Sequence, residues 1–303
     1  MTTLAAARPA RAIPLRSRTA LVLAASAALG AFLSMVWSAR FVDQTIGEDL
    51  ASRILGYDAV ATPIAGALAG AVFAFVSGLT GTFTACNIAA FGAVGPLARS
   101  RMTALRSAGW LALGATAIAG LYGAIAALLG PNVPQLSPAT VGSFPVRLLQ
   151  SSVIFGALGV TFIALGLAAA GMIRDPLRAL ADRWPPVRLV VAGGVVGAFL
   201  IGRPFPLFLQ LLRYAALTHD PLFGAAAFAL QSVGNIALLT FAFVAASRLA
   251  RGRGVAWLDD RADRVSHLNV AALVTAGTFL VTYWCLRVPS FFGIGWWPKA
   301  PWT

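Results

Sequence analysis

Charge is scarce in this chain. Asp, Glu, Lys and Arg together make up 11% of the 303 residues, while hydrophobic residues make up 59%. A soluble domain carries about 25% charged residues, so there is too little charge here to coat a water-facing globule. A soluble enzyme is excluded, and a mean hydropathy of +0.81 excludes disorder. Lysine is nearly absent, with Lys299 alone. None falls in an apolar run, so a retinal Schiff base is excluded. The apolar runs hold no Asp or Glu either, which argues against a carboxylate-driven proton site at mid-membrane. The two histidines, His219 and His267, fall in polar connections on opposite sides, which does not suit a bis-His haem. Two cysteines are too few for a disulfide framework or a Cys-rich metal centre. No Walker motif, dinucleotide fingerprint or Cys-x-x-Cys is present. No metal and no cofactor is expected.

What is abundant is long apolar sequence. Seven runs stand out, at about 19–38, 59–97, 107–130, 147–173, 187–217, 222–247 and 268–288. Each is near or above the roughly 20 residues that cross a hydrocarbon core as a helix. Backbone groups in lipid must pair internally, and the runs lack the alternation of a barrel. The expected fold is therefore an all-α, polytopic membrane protein of seven transmembrane helices, with the lipid bilayer as its first partner.

The net charge of +13 would suggest nucleic acid in a soluble protein. Here the arginines lie in short loops between the runs, and membrane topology explains them. Arg-rich segments (the tail before residue 19, 98–106, 174–188, 248–267) alternate with Arg-poor ones (39–58, 131–146, 213–221, the C-terminal tail). That pattern places the N-terminus in the cytoplasm and the C-terminus outside. Four of the eight tryptophans, Trp284, Trp296, Trp297 and Trp302, cluster at the last exit, where aromatic rings anchor helices at the interface.

Two runs are interrupted. Residues 59–97 contain Gly78, Gly81 and the polar string Thr80, Thr82, Thr84, Cys86, Asn87. Residues 187–217 contain Gly202-Arg203-Pro204-Phe205-Pro206, which cannot form a regular helix because each proline removes a donor and clashes with the preceding turn. Irregular backbone at membrane depth lines a cavity or is buried in protein. Broken helices in corresponding positions of two halves point to a transporter-like site. Each broken run opens a three-helix unit and begins with a Gly-x-x-x-Gly step, Gly66/Gly70 and Gly193/Gly197. The loop charges give the two units opposite directions. The expected organisation is a basic tail, first helix and outer loop (1–58), a first three-helix repeat (59–173) and an inverted second repeat with an aromatic tail (174–303).

With these residues in view, the chain resembles the CcdA/DsbD transmembrane family, thiol-electron carriers of cytochrome c biogenesis. The resemblance covers about residues 59–290. It rests on the inverted-repeat architecture and two motifs: Gly78 to Asn87, followed by Gly95-Pro96-Leu97, and Gly202 to Phe208. It implies a multi-pass protein of the bacterial inner membrane. Its partner would be a thioredoxin-like protein or a larger membrane complex. It also implies a cysteine beside a helix-breaking proline in each repeat, the two passing reducing equivalents outward. Cys86 fits the first position, preceded by Ala85 rather than proline. Phe205 stands where the second cysteine would be.

Three functional expectations follow. Cys86 is either a reactive thiol or a small buried hydrophobe. Arg203, read as the one charge deep in a span, is either an anion-binding or thiolate-stabilising group at the break or a side chain snorkelling to the surface. Thr82, Thr84 and Asn87, with Gln231, Ser232 and Asn235, line a polar path or simply bond helices together. Cys285 reads as packing, and a Cys86–Cys285 pairing stays open. Thiol redox or small-solute handling at the repeat interface competes with a structural or assembly role, and with small-anion transport that needs Arg203 but not Cys86.

Overall fold

The computed structural model describes residues 17–82, 104–249 and 262–302. It is helical, apart from a two-residue hairpin in one connection. Helix α1 (Ser17–Val36) is followed by a π-helical segment (Arg40–Glu48), α2 (Asp49–Leu55) and α3 (Ala67–Gly81). After α4 (Ala104–Leu129) come two 3-10 turns and the hairpin, in which Val141 pairs with Phe144, then α5 (Val146–Ala169). The second half holds α6 (Arg178–Arg183), α7 (Val187–Ala198), a 3-10 turn (Phe199–Gly202), α8 (Pro206–Thr218) and α9 (Pro221–Leu249). It ends with α10 (Ala262–Val281), a second π-helical segment (Thr282–Arg287) and α11 (Val288–Ser290).

Among the described residues, five helical stretches are long and apolar enough to cross a membrane, or six if the bent pair α7–α8 counts as one span. The chain is a helical membrane protein on these grounds. The second apolar run differs from its sequence reading. Its first residues, 56–66, form turns, and the helix begins only at Ala67. Pro63 and the left-handed Gly66 (φ 92°) hold the chain out of a helix until then. The remainder of that run, from residue 83, lies outside the described residues. The segment 39–58, read as a loop, is largely helical.

Lipid offers no hydrophobic drive to press helices together, so close backbone approach and dispersion must do it. The helices meet at glycines. Gly123 of α4 faces Gly224 of α9, and Gly159 of α5 faces Gly277 of α10. Gly114 of α4 rests on Val190 and Gly194 of α7, while Gly193 and Gly197 of α7 rest on Leu111 and Ala115 of α4. Gly78 of α3 rests on the Gln231 carbonyl of α9, and Gly234 of α9 on Phe75 and Gly78. One row therefore runs α3–α9–α4–α7, and another α5–α10–α1. Phe73, Phe208, Leu211 and Phe228 fill the core of the first, and Phe155, Phe199 and Leu280 that of the second. The Gly66/Gly70 step does not do this work. Gly66 has open space where a side chain would go, and Gly70 meets the rings of Phe223 and Tyr214.

The C-terminal segment closes the open end of α1. A helix leaves its last four carbonyls without partners. Here Arg287 Nη1 donates to the Ser34 and Trp37 carbonyls at 2.5 and 2.8 Å. The Ala300 amide donates to Met35 O at 3.2 Å, and Trp302 Nε1 to Val36 O at 3.3 Å. Arg287 is 2% exposed, so Arg203 is not the one charge buried in a span. Its cation also suits the negative end of the helix dipole.

Candidate functional site

The break in the 187–217 run is sharp. Helices α7 and α8 meet at 84°. Pro206 is the first residue of α8, where its missing N–H costs nothing. The kink leaves carbonyls of the 3-10 turn and of Arg203 without helical partners. Two side-chain amides, one buried and one half-buried, take the Ile201 and Arg203 carbonyls. Gln150 Nε2 of α5 donates to Ile201 O at 2.6 Å. Gln135 Nε2, from the uncharged connection after α4, donates to Arg203 O at 3.2 Å, and its Oε1 accepts from the Tyr122 hydroxyl. Pairing these two carbonyls lowers the cost of the break.

The Arg203 side chain does not snorkel out. It is 6% exposed and reaches across to the end of α3. Its Nη2 donates to the Gly81 carbonyl, the last residue of α3, at 2.9 Å. Its Nη1 donates to Asn235 Oδ1 of α9 at 3.3 Å. Thr82 Oγ1, just past the end of α3, donates to the Asn235 carbonyl at 3.0 Å. Gly81 is required to be small, because a Cβ there would run into the guanidinium. The structure thus brings together Gly81, Thr82, Gly202, Arg203, Pro204 and Pro206. Gly78 does not break a helix; it lies inside α3, where its lack of a side chain lets α9 approach. Thr84, Cys86 and Asn87 lie outside the described residues.

On α9, Gln231 Nε2 donates to Ser77 Oγ at 3.0 Å. Together with Asn235 it forms a polar seam between α9 and α3. Cys285 is exposed, with its thiol 3.5 Å from the Ser152 carbonyl; it is not a buried packing residue.

Beside the junction lies a cavity of about 340 Å³. Arg203, Pro204 and Phe205 form one wall, the π-helical segment after α10 another, and Asp43 reaches it from the segment after α1. The Arg203 guanidinium lies 5.0 Å from the centre of the Phe205 ring, a favourable cation–aromatic arrangement. The Asp43 carboxyl, outside the spans, is pushed up to about 6, chiefly by burial, with Arg203 pulling the other way. Burial, then the carboxylates of Asp43, Asp49 and Asp58, also raises its neighbour Glu48.

The sign of the pH effect follows. The folded-state value of Asp43 lies above its ordinary 3.8, so folding favours the neutral acid. That contribution is full below about pH 4 and is lost as pH rises through about 6. It is on the order of 2–3 kcal/mol. Asp43→Asn is expected to flatten thermal stability between pH 4 and 7, leaving the smaller slope of Glu48. An unchanged slope in melts across that range would show that Asp43 is not the group responsible.

Sequence reasoning pointed to Arg203 through a general rule about intramembrane charge. It passed over Gln135, Gln150 and Asp43, and it read Trp284 as an interfacial anchor, whereas that ring is buried in the core. Gln150 gave a usable signal, a lone amide at the start of an apolar run. Asp43 gave none, being one carboxylate among several in its connection.

No protein-family model matches the chain, and no curated protein or solved structure matches it.

Proposed function

We propose that the chain is an inner-membrane protein on the CcdA/DsbD plan, an added first helix and two inverted three-helix repeats, that handles a small solute at the repeat interface. The N-terminus is cytoplasmic and the C-terminus outside. The observation that carries the reading is Arg203, which ties the break of one broken run to the end of α3 in the other while lining a cavity. The packing supports the repeat. Exchanging α3 with α7 and α4 with α9 turns the α4–α7 contact into the α9–α3 contact, and each has a glycine on both sides. A pair of broken helices at such an interface, with fixed charge beside a cavity, is the arrangement that alternating-access carriers use.

The test is accessibility from both faces of the membrane. Phe205→Cys, in a background with Cys86→Ser and Cys285→Ser, is expected to react with an impermeant maleimide from the outside. A fraction should also react from the inside of inverted vesicles. Labelling from one face only would show a fixed junction and favour a structural or assembly subunit.

Thiol redox is the second reading, favoured because Cys86 follows by five residues the Gly81 carbonyl that Arg203 holds. A nearby guanidinium stabilises a thiolate. Fast, reversible, oxidation-sensitive labelling of Cys86 in native membranes would support it. Labelling only after denaturation would end it.

A further inference from the structure

The connection between α5 and α7 is basic and apolar at once. It runs through residues 170–186 and joins two helices of the spanning set, so both of its ends are held at the membrane surface. Gly171, left-handed at φ 76°, follows the end of α5, and Pro185-Pro186 stops α6 before α7 begins. The stretch between them is folded back on the bundle. Asp175 Oδ1 accepts from the Leu177 amide at 2.9 Å, and Asp175 Oδ2 from Arg188 Nη2 at 2.6 Å. The Trp184 ring meets Trp110 of α4 edge-on, with centroids 5.6 Å apart.

Four large apolar side chains of this connection, Met172, Ile173, Leu180 and Trp184, are 40–49% exposed. Within a span such exposure faces lipid. Outside one it faces water, unless the connection lies in the interface. Arg174, Arg178 and Arg183 are exposed on the same stretch. Asp175 is paired with Arg188, which leaves Asp182 as the one other carboxylate of the connection. An arginine stem lies along apolar surface while its guanidinium stays at headgroup level, where it takes phosphate oxygens in a fork. The connection after α1 has the opposite balance, with Asp43, Glu48, Asp49 and Asp58 against Arg40 and Arg53.

We propose that residues 170–186 form an interfacial segment that binds anionic phospholipid, with Leu180 and Trp184 at the top of the acyl chains and Arg174, Arg178 and Arg183 on headgroup phosphates. Zwitterionic lipid offers the same phosphate, but its own cation cancels the charge. Three arginines against one free carboxylate therefore select lipid of net negative charge. This surface acts whether or not the Arg203 junction handles a solute.

The test uses the full chain with Cys86→Ser, Cys285→Ser and Leu180→Cys, the last carrying bimane. The host is phosphatidylcholine nanodiscs with equal added fractions of brominated phosphatidylglycerol or brominated phosphatidylcholine. Bimane at 180 should emit as in an apolar medium, and brominated phosphatidylglycerol should quench it at least about twofold more strongly than brominated phosphatidylcholine. With Arg174→Gln, Arg178→Gln and Arg183→Gln together, the two lipids should quench equally. The melting temperature should not move, because all three side chains are exposed. Raising NaCl to about 0.5 M, with no arginine changed, should shrink the preference as well. Bimane on Ile54→Cys, an exposed position of the acidic connection, should show no preference. Water-like emission without quenching at 180 would mean that the connection stands clear of the bilayer, as a protein-docking surface would, and would overturn the proposal. Equal quenching by the two lipids with all arginines in place, a preference that survives the triple substitution, or the same preference at position 54 would each overturn it too.

Discussion

Replacing Arg203 with Gln is expected to destabilise the folded protein by about 3–5 kcal/mol, with loss of whatever solute handling or thiol chemistry the junction performs. The reason is what the guanidinium leaves behind. It donates to the Gly81 carbonyl at 2.9 Å and to Asn235 Oδ1 at 3.3 Å, and the side chain is buried. Hydrogen bonds to a charged group contribute about 1.5–3 kcal/mol each, and stranding a buried acceptor costs about 1–3 kcal/mol. Gln is shorter and has no charge. Arg203→Lys keeps the charge but is a point donor on a flexible stem, and should recover only part of the loss. Reversible unfolding in mixed micelles gives the stability. A wild-type stability for Arg203→Gln would mean that the guanidinium is solvated and that the junction is not as described.

The second large effect belongs to Gly78→Val. A side chain at this position of α3 would enter the Gln231 carbonyl of α9. The obstacle is backbone, so no rotamer change relieves it. Overpacking usually costs about 1–3 kcal/mol, occasionally more, and here the two helices must part along their length. That would separate Gln231 from Ser77 and Thr82 from Asn235. The expected outcome is little folded protein in size-exclusion profiles of detergent extracts. Gly66→Val is the control. Gly66 sits at φ 92° with open space around it, so the variant pays local backbone strain but disturbs no helix contact. A folded Gly78→Val protein with normal stability would contradict the close approach of α3 and α9.

These two residues also mark what sequence could and could not say. The break at Arg203 was legible because Pro204 and Pro206 follow it and the stereochemistry of proline is local. The long apolar helices were legible because hydropathy is a one-dimensional signal, although the second begins at Ala67 and not at 59. Which glycines carry helix contacts was legible only in part: the Gly193/Gly197 step does rest on α4. The chain has 30 glycines, and the spacing that drew notice at Gly66 and Gly70 marks a turn and a helix start. The working contacts at Gly78, Gly114 and Gly234 have no distinctive spacing, because their meaning is set by a partner far along the chain. Gln135 was illegible for the same reason. An amide in an uncharged connection gains its role only when the connection folds over a carbonyl exposed by the break. Arg287 gave no local sign of its role, because its partners, the Ser34 and Trp37 carbonyls at the end of α1, lie far along the chain.

The central claim is that Arg203 joins the two broken runs through α9. A double-mutant cycle of Arg203→Gln with Asn235→Leu, read by reversible unfolding in bicelles, addresses it most directly. If the guanidinium donates to the Asn235 side chain in the folded protein, the two losses are not independent, and the coupling should be about 1–3 kcal/mol. Additivity within about 0.5 kcal/mol would mean that the two side chains do not meet, and the junction would have to be abandoned as the working element.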